Sequence, residues 1–514
     1  MKVTPRAGKF LSYLIITSIS ILVYKEVLYH NFVSDDWALI VRREDFINDL
    51  SNIKVLFLVP QDGERFKLGN QMYRYLVATR EVSYRPLNTL SYFIDYRLWG
   101  LNPLGYHFTN LTIHILNALL VYQLGLSLGL GWPGGLVAGL VFALHPLQVE
   151  PLAVASFRED ILACFFLLVS VLLFLSVLKR GKSQFKLMAS FLCYFLAILC
   201  KENALVYPLI ITGLIFLNLK GKSISQSIKF YLIAMFILTA FFVFIRFHYN
   251  PAVAVNSSVL SEGLFSEILT VFHVFAIYFQ WVFIPWDIKF YLVNQAKPVS
   301  NFSLVIFSDI IITAIILVFL FYNVLRGKDK PGFAALWITV NLFPLVFIRY
   351  LASMLAARYL YIPLVGFAIF MGILTARVIH KKRYFLAIPV LLIIAGYGLI
   401  TTYSLRWWEN DLQLWRKMAN DFPHDDYCNF QYHTHRGGFL HWQKKYIPAL
   451  KEYLQAYEYQ PQDKGTLQKI GDILYKLGEY HQAIKFYSWC LQYGGGQEIK
   501  EKLESIRGLI DNED

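Results

Sequence analysis

Charge is scarce in this chain. Of its 514 residues only 16% are Asp, Glu, Lys or Arg, against 56% hydrophobic. Mean hydropathy is +0.46, which excludes an ordinary soluble multidomain protein. Cysteine is scarce too. Cys164, Cys193, Cys200, Cys428 and Cys490 form no C-x-x-C pair, so neither a disulfide framework nor a cysteine zinc site is indicated. The first apolar run continues into Tyr24 with no A-x-A-like cleavage site, the pattern of a retained signal anchor. Basic residues give a formal charge of +13 but do not gather on one folded face, so nucleic acid is not an expected partner.

What the chain has in quantity is long apolar runs. They fall at about 10–28, 107–129, 133–150, 161–178, 186–200, 203–219, 230–247, 264–286, 303–325, 333–350, 358–379 and 384–404. Each is expected to be long enough for a helix to cross about 30 Å of hydrocarbon. The expected fold is all-α: a polytopic helical membrane domain over 1–404, followed by a short helical domain over 405–514. Basic clusters at Lys2/Arg6/Lys9, Lys179–Lys186, Lys220–Lys229, Arg326–Lys330 and Lys381–Arg383 set the cytoplasmic side, together with the N-terminus. Twelve crossings break that parity. The segment 264–286, with His273, Gln280 and a terminal Pro-Trp-Asp, is the expected exception, a re-entrant or surface-lying helix that leaves eleven spans. The large outer loops are then 29–106 and 248–302.

The last hundred residues repeat. Gly437 and Gly471, Ala449 and Ala483, Tyr453 and Tyr487 are each 34 residues apart, the period of tetratricopeptide repeats. About two units are expected, with 498–510 as a partial third, on the outer or luminal side.

The polar residues outside the basic clusters all map to the outer face. Asp35 and Asp36 follow the first span. A carboxylate there suits a general base or a cation ligand, and it equally suits a turn or helix N-cap. Arg85 has the forked donors that grip phosphate, or it snorkels or pairs with Asp95. His145 ends the third run, with Glu150, Arg158, Glu159 and Asp160 close behind. His145 by itself reads equally as a hydrogen-bonded interfacial histidine. Lys201 and Glu202 are either a mutual ion pair or part of a site. Arg358 with Tyr359 and Tyr361 serves a site or anchors an interface. Their convergence on one face describes a cavity with acids to activate an acceptor and cations to hold a lipid-linked phosphate. Asp35, Asp36 and Glu150 are the candidate ligands for a divalent cation (Mg or Mn), although lysine and arginine can neutralise a phosphate without one.

The ordered motifs are Asn31–Trp37, Tyr84–Leu87, His145–Glu150 with Arg158–Ala163, Lys201–Asn203 and Ala357–Tyr361. With the terminal repeats they resemble the transmembrane and tetratricopeptide-repeat-containing O-mannosyltransferases, of the GT-C class of glycosyltransferases. The resemblance implies a polyprenyl- or dolichyl-phosphate sugar donor, inversion at the sugar, and a protein or glycan hydroxyl acceptor that the repeats help to contact. It maps the base to Asp35, with Asp36 beside it, and an acidic position to Glu150. It matches Arg158, Lys201 and Arg358 to basic positions that contact the donor phosphate. Arg85 and His145 are further candidate phosphate contacts on the same face, with Asp160, Glu202 and Tyr359 in support. The implied setting is a bacterial or archaeal cytoplasmic membrane, or the endoplasmic reticulum in a eukaryote. The alternative function is a transporter or lipid-linked sugar flippase, which favours ionisable groups at mid-bilayer and symmetry-related halves; neither is evident. A membrane-anchored repeat scaffold would not need the loop charges.

Overall fold

Small polar caps and prolines turn the apolar runs into helices with defined starts. Asn102 accepts the Leu104 N–H ahead of Pro103–Ser127, Ser183 caps Gln184–Cys200, and Ser303 caps Leu304–Leu325, each satisfying a backbone donor the first turn leaves open. The structure is a computed structural model describing residues 4–57, 85–181, 183–219, 224–249, 263–290, 298–326, 329–347 and 355–510. The middle of loop 29–106, much of loop 248–302, and Lys2, Lys182, Lys220, Lys222, Lys328 and Arg349 lie outside these residues. All regular structure among the described residues is helical, in two compact units, Met1–Arg406 and Trp407–Asp514.

Each of the twelve apolar runs lies on a helix. Among the described residues six helices are long and apolar enough to cross a bilayer, the composition of a multi-pass membrane protein, and the pair Gly131–Leu144 and Pro146–Ala153 makes a seventh if its 49° bend is one broken span. Pro103–Ser127 is 25 residues long yet falls outside that set. Its buried face carries Asn110, His114 and Asn117 at helical spacing. Asn117 donates to the Ile161 carbonyl at 2.9 Å, and His114 bonds Tyr361 Oη at 2.8 Å, so this helix contributes polar contacts to the core.

Gly131–Leu144 packs against four neighbours: Pro5–Tyr24, Pro103–Ser127, Leu364–His380 and Ala387–Leu405. Its glycines make this possible. A Cβ at Gly139 would stand 2.6 Å from Ile16, and one at Gly134 would stand 2.8 Å from the Gly372 carbonyl. Small residues let helix backbones approach in this way. Gly263–Phe283 is a continuous 21-residue helix, and it runs parallel to Leu304–Leu325. His273 pairs with Asp309 at 2.7 Å and Thr313 bonds the Phe272 carbonyl, while Phe279 and Phe283 share a groove with Ile316 and Leu320. Ahead of Leu304–Leu325, the Val299 N–H meets Thr270 Oγ1 at 2.8 Å. Gly263–Phe283 is itself one of the six helices long and apolar enough to cross a bilayer, so length and composition do not set it apart from the crossing helices.

In the second unit, Asp426–Trp442 pairs with Tyr446–Tyr459, Lys464–Lys476 pairs with Tyr480–Gln492, and Gln497–Ile510 follows. The repeated residues occupy equivalent places. Gly437 faces the Tyr453 ring and Gly471 faces the Tyr487 ring, where an added Cβ would stand 2.8 and 2.7 Å from ring carbons.

Candidate active site

Three consecutive residues decide how the acidic pair is used. Ser34 sits at φ 54°, in the left-handed region rarely occupied by residues other than glycine. After it the two aspartates part. Asp36 is buried, and its carboxylate accepts backbone N–H bonds from Ser156 (2.7 Å), Val33 (3.1 Å) and Ala155 (3.2 Å). It ties the first loop to the turn before helix Arg158–Arg180. Burial pushes its pKa up to about 7, opposed by these hydrogen bonds. Asp35 points outward and is exposed. It stands at the N-cap position of Asp36–Leu39 but makes no capping bond, so the cap reading does not account for it. Although its side chain is accessible, the protein around it removes enough water to push its pKa above the usual range. Arg358 opposes that shift, and Glu159 and Glu150 add to it.

The helix ends around Asp35 carry a charged network. Arg85 Nε and Nη2 fork onto Glu202 at 3.0 and 2.8 Å, and its Nη1 reaches Glu159 at 2.6 Å. Lys201 Nζ lies 2.5 Å from Asp160 and 3.5 Å from Glu159, over the Tyr359 ring. Arg358 donates from Nη1 to Glu150 at 2.6 Å and from its backbone N–H to the same carboxylate at 3.2 Å. Its guanidinium also stacks 4.1 Å from the Phe157 ring centroid. The neighbouring acids Glu159 and Asp160, on the first turn of one helix, thus share Lys201, and Glu159 also pairs with Arg85.

The structure therefore brings Asp35, Asp36, Arg85, Glu150, Asp160, Lys201, Glu202, Arg358 and Tyr359 together, and redistributes their tasks. Arg158 is fully buried. It pairs with Asp95 at 2.5 Å and bonds Asn110, Ser91 and the Tyr106 carbonyl, so it is a closed structural arginine with no path to a donor phosphate. Asp95, expected as a partner of Arg85, serves Arg158 instead. His145 is equally enclosed. Its Nδ1 accepts the Leu147 N–H, leaving Nε2–H to donate to the Val282 carbonyl at 3.0 Å. Both nitrogens are committed, and its role is to shape the bend after Leu144. Glu150 is held by Arg358 and is not free as a base. The expected cation-ligand set of Asp35, Asp36 and Glu150 is not assembled: among the described residues no group of three His, Cys, Asp or Glu is placed to hold a metal ion. Asp36 spends its oxygens on N–H donors and Glu150 on a guanidinium.

Of the site cations, Arg85 and Arg358 retain open edges, each 18% exposed, whereas Lys201 is 3% exposed. Those two guanidinium groups are the more accessible of the three. Beside Arg358 the chain also forms an apolar groove of about 320 Å³. Tyr278 and Leu360 line its near end, and Ile316, Phe319 and Pro331 lie along it. Sequence reasoning missed Glu159 as a bridge, and it missed Tyr278, whose hydroxyl accepts the Ala356 N–H at 3.3 Å. An acidic pair at a helix start signals the first; an isolated tyrosine in an apolar helix offers no signal for the second.

The curated homologues of this chain are protein O-mannosyl-transferases of the TMTC family. Human protein O-mannosyl-transferase TMTC3 is 23% identical over 90% of the chain and 53% of its own length. Human TMTC2 is 34% identical over 28% of the chain and 18% of its own length. Drosophila melanogaster Tmtc1 is 34% identical over 26% of the chain and 15% of its own length. The chain thus spans about half of TMTC3 and smaller shares of the other two. No family model matches it.

Proposed function

We propose that the chain is a GT-C-type glycosyltransferase that moves a hexose, mannose by its relatives' names, from a polyprenyl-phosphate donor to a hydroxyl acceptor. The reaction takes place on the outer or luminal face, in a membrane domain of eleven spans plus the non-crossing Gly263–Phe283 helix. One observation carries the reading: in a cluster where Asp36, Glu150, Glu159, Asp160 and Glu202 are all committed to donors, Asp35 alone is exposed and has no side-chain partner among the described residues. Asp35 accepts the proton of the attacking hydroxyl as its oxygen bonds the anomeric carbon. The bond from that carbon to phosphate oxygen breaks, and the phosphate leaves on its lipid. Arg358 and Arg85 face the leaving phosphate, exchanging part of their carboxylate pairing for it as charge develops. The apolar groove beside Arg358 suits the polyprenyl tail, which keeps the phosphate at headgroup depth. The Trp407–Asp514 unit has a mixed-charge groove of its own, lined by His441, Asp472, Lys476 and Lys502, which suits a polypeptide acceptor.

The test is Asp35→Asn in purified protein, with a polyprenyl-phosphate-mannose donor and a serine- and threonine-containing peptide. The expected loss is about 10²–10⁴-fold in turnover with an unchanged melting temperature. Full transfer in the variant would remove Asp35 from its role. Flux of the lipid-linked sugar across proteoliposomes without transfer would favour the transporter reading.

A further inference from the structure

The opposite end of the membrane unit has a different electrostatic character. Leu364–His380 starts shortly after Arg358 and runs 17 residues, roughly 25 Å. At its far end lies a cavity of about 770 Å³. Arg326, Lys330, Arg377 and His380 line it, and among the described residues no Asp or Glu does. Around Asp35 the chain pairs Arg85, Lys201 and Arg358 with carboxylates. Here, among the described residues, none of the four basic groups has such a pair.

The cavity is also held in shape. Lys330 Nζ donates to the Gly129 carbonyl at 2.7 Å, fastening Asp329–Leu342 to the turn before Gly131–Leu144. That turn uses left-handed backbone at Gly129 (φ 73°) and Gly131 (φ 71°). Beneath it Gly134 and Gly372 cross so closely that a Cβ on either would press the other's carbonyl oxygen, at 2.8 and 2.5 Å. Arg326 stacks on the Tyr322 ring, 4.9 Å from its centroid. Basic residues that only set topology need no such convergence.

We infer that this cavity binds the phosphate headgroup of an anionic membrane lipid. Guanidinium forks and an ammonium group supply charge-assisted donors to phosphate oxygens. Basic pockets between membrane helices are suited to anionic headgroups. A lipid is favoured over free phosphate because apolar Leu130, Pro133, Pro331 and Ile373 line the cavity alongside the basic groups. An acyl chain can leave the headgroup along apolar surface that an inorganic ion would not use.

The test measures bound lipid and needs no transferase activity, so its result stands apart from the function proposed above. The full chain is placed in nanodiscs of phosphatidylcholine with or without phosphatidylglycerol. Retained lipid is then read by mass spectrometry after detergent exchange. The wild type should retain phosphatidylglycerol selectively. Lys330→Gln with Arg377→Gln should weaken retention roughly thirtyfold, about fivefold for each charge removed. If the double variant melts lower in phosphatidylcholine alone, Arg326→Gln replaces it, with about a fivefold loss expected. Equal retention by wild type and a stably folded variant would overturn the assignment. So would inorganic phosphate that stabilises the lipid-free protein as well as phosphatidylglycerol does, since the site would then read the free ion.

Discussion

Asp35 and Asp36 are chemically identical neighbours whose surroundings give them different work. Asp35 must be ionised to accept a proton, so turnover should fall as pH drops through its pKa. That acid limb should lie above the ordinary aspartate value of 3.8. Arg358 holds the pKa down, so Arg358→Gln should move the limb to higher pH while raising KM for the donor. A pH profile of kcat/KM on both proteins checks this, and a limb that stays in place would separate Arg358 from the base. For Asp36 the linkage concerns stability. The folded chain keeps its proton up to about pH 7, whereas the unfolded chain releases it near 3.8. Between those values the folded state binds more protons, so stability declines as pH rises from about 4 to about 7 and is level above. Asn in its place offers one carbonyl oxygen to three N–H donors, and its own NH₂ opposes at least one of them. Asp36→Asn should therefore cost about 1–3 kcal/mol at pH 8 and remove that slope. Thermal melting across the pH range reads both effects.

At the scale of elements, helix ends and helix crossings govern the arrangement. The charged network joins the starts of Pro86–Trp99 and Arg158–Arg180 to the end of Gln184–Cys200, and breaking one buried pair strands the other charge. In the second unit the 34-residue period marks a physical contact, glycine against tyrosine in each helical pair. Gly471→Ala forces the Tyr487 ring from its place, and with it the Asp472 carboxylate to which the Tyr487 hydroxyl donates at 2.6 Å. The expected cost is about 1–3 kcal/mol. It should appear as lower amide-exchange protection in Lys464–Gln492, with the Met1–Arg406 unit unchanged. Protection equal to wild type would mean that the pair tolerates the methyl group. Both glycines were legible from spacing alone, because a repeat conserves its internal contact within one chain. The tyrosines they face were legible for the same reason.

At the scale of the whole molecule, the proposed chemistry needs a charged end and an apolar path meeting at one point. Arg358 and Leu360 supply that junction. If the groove holds the donor's tail, Ile316→Trp should raise KM for a long polyprenyl donor roughly tenfold and leave a short-chain analogue unaffected. Equal effects on both donors would place the tail elsewhere.

The sequence by itself determined the helical membrane architecture, the convergence of polar loops on one face and the repeat period. These are properties of local composition and spacing, which hold before any helix meets another. The family resemblance pointed to Asp35 as the base, with Asp36 beside it. Only the tertiary structure gave the two aspartates different surroundings, through the left-handed turn at Ser34 and the approach of Ala155 and Ser156, some 120 residues away. It likewise closed Arg158 and His145 within their own partners and left Arg85 and Arg358 open. A residue's type states which bonds it can make. Which of them it has already made depends on what the fold packs against it, and a buried charge or imidazole with every donor and acceptor engaged has none left for a substrate.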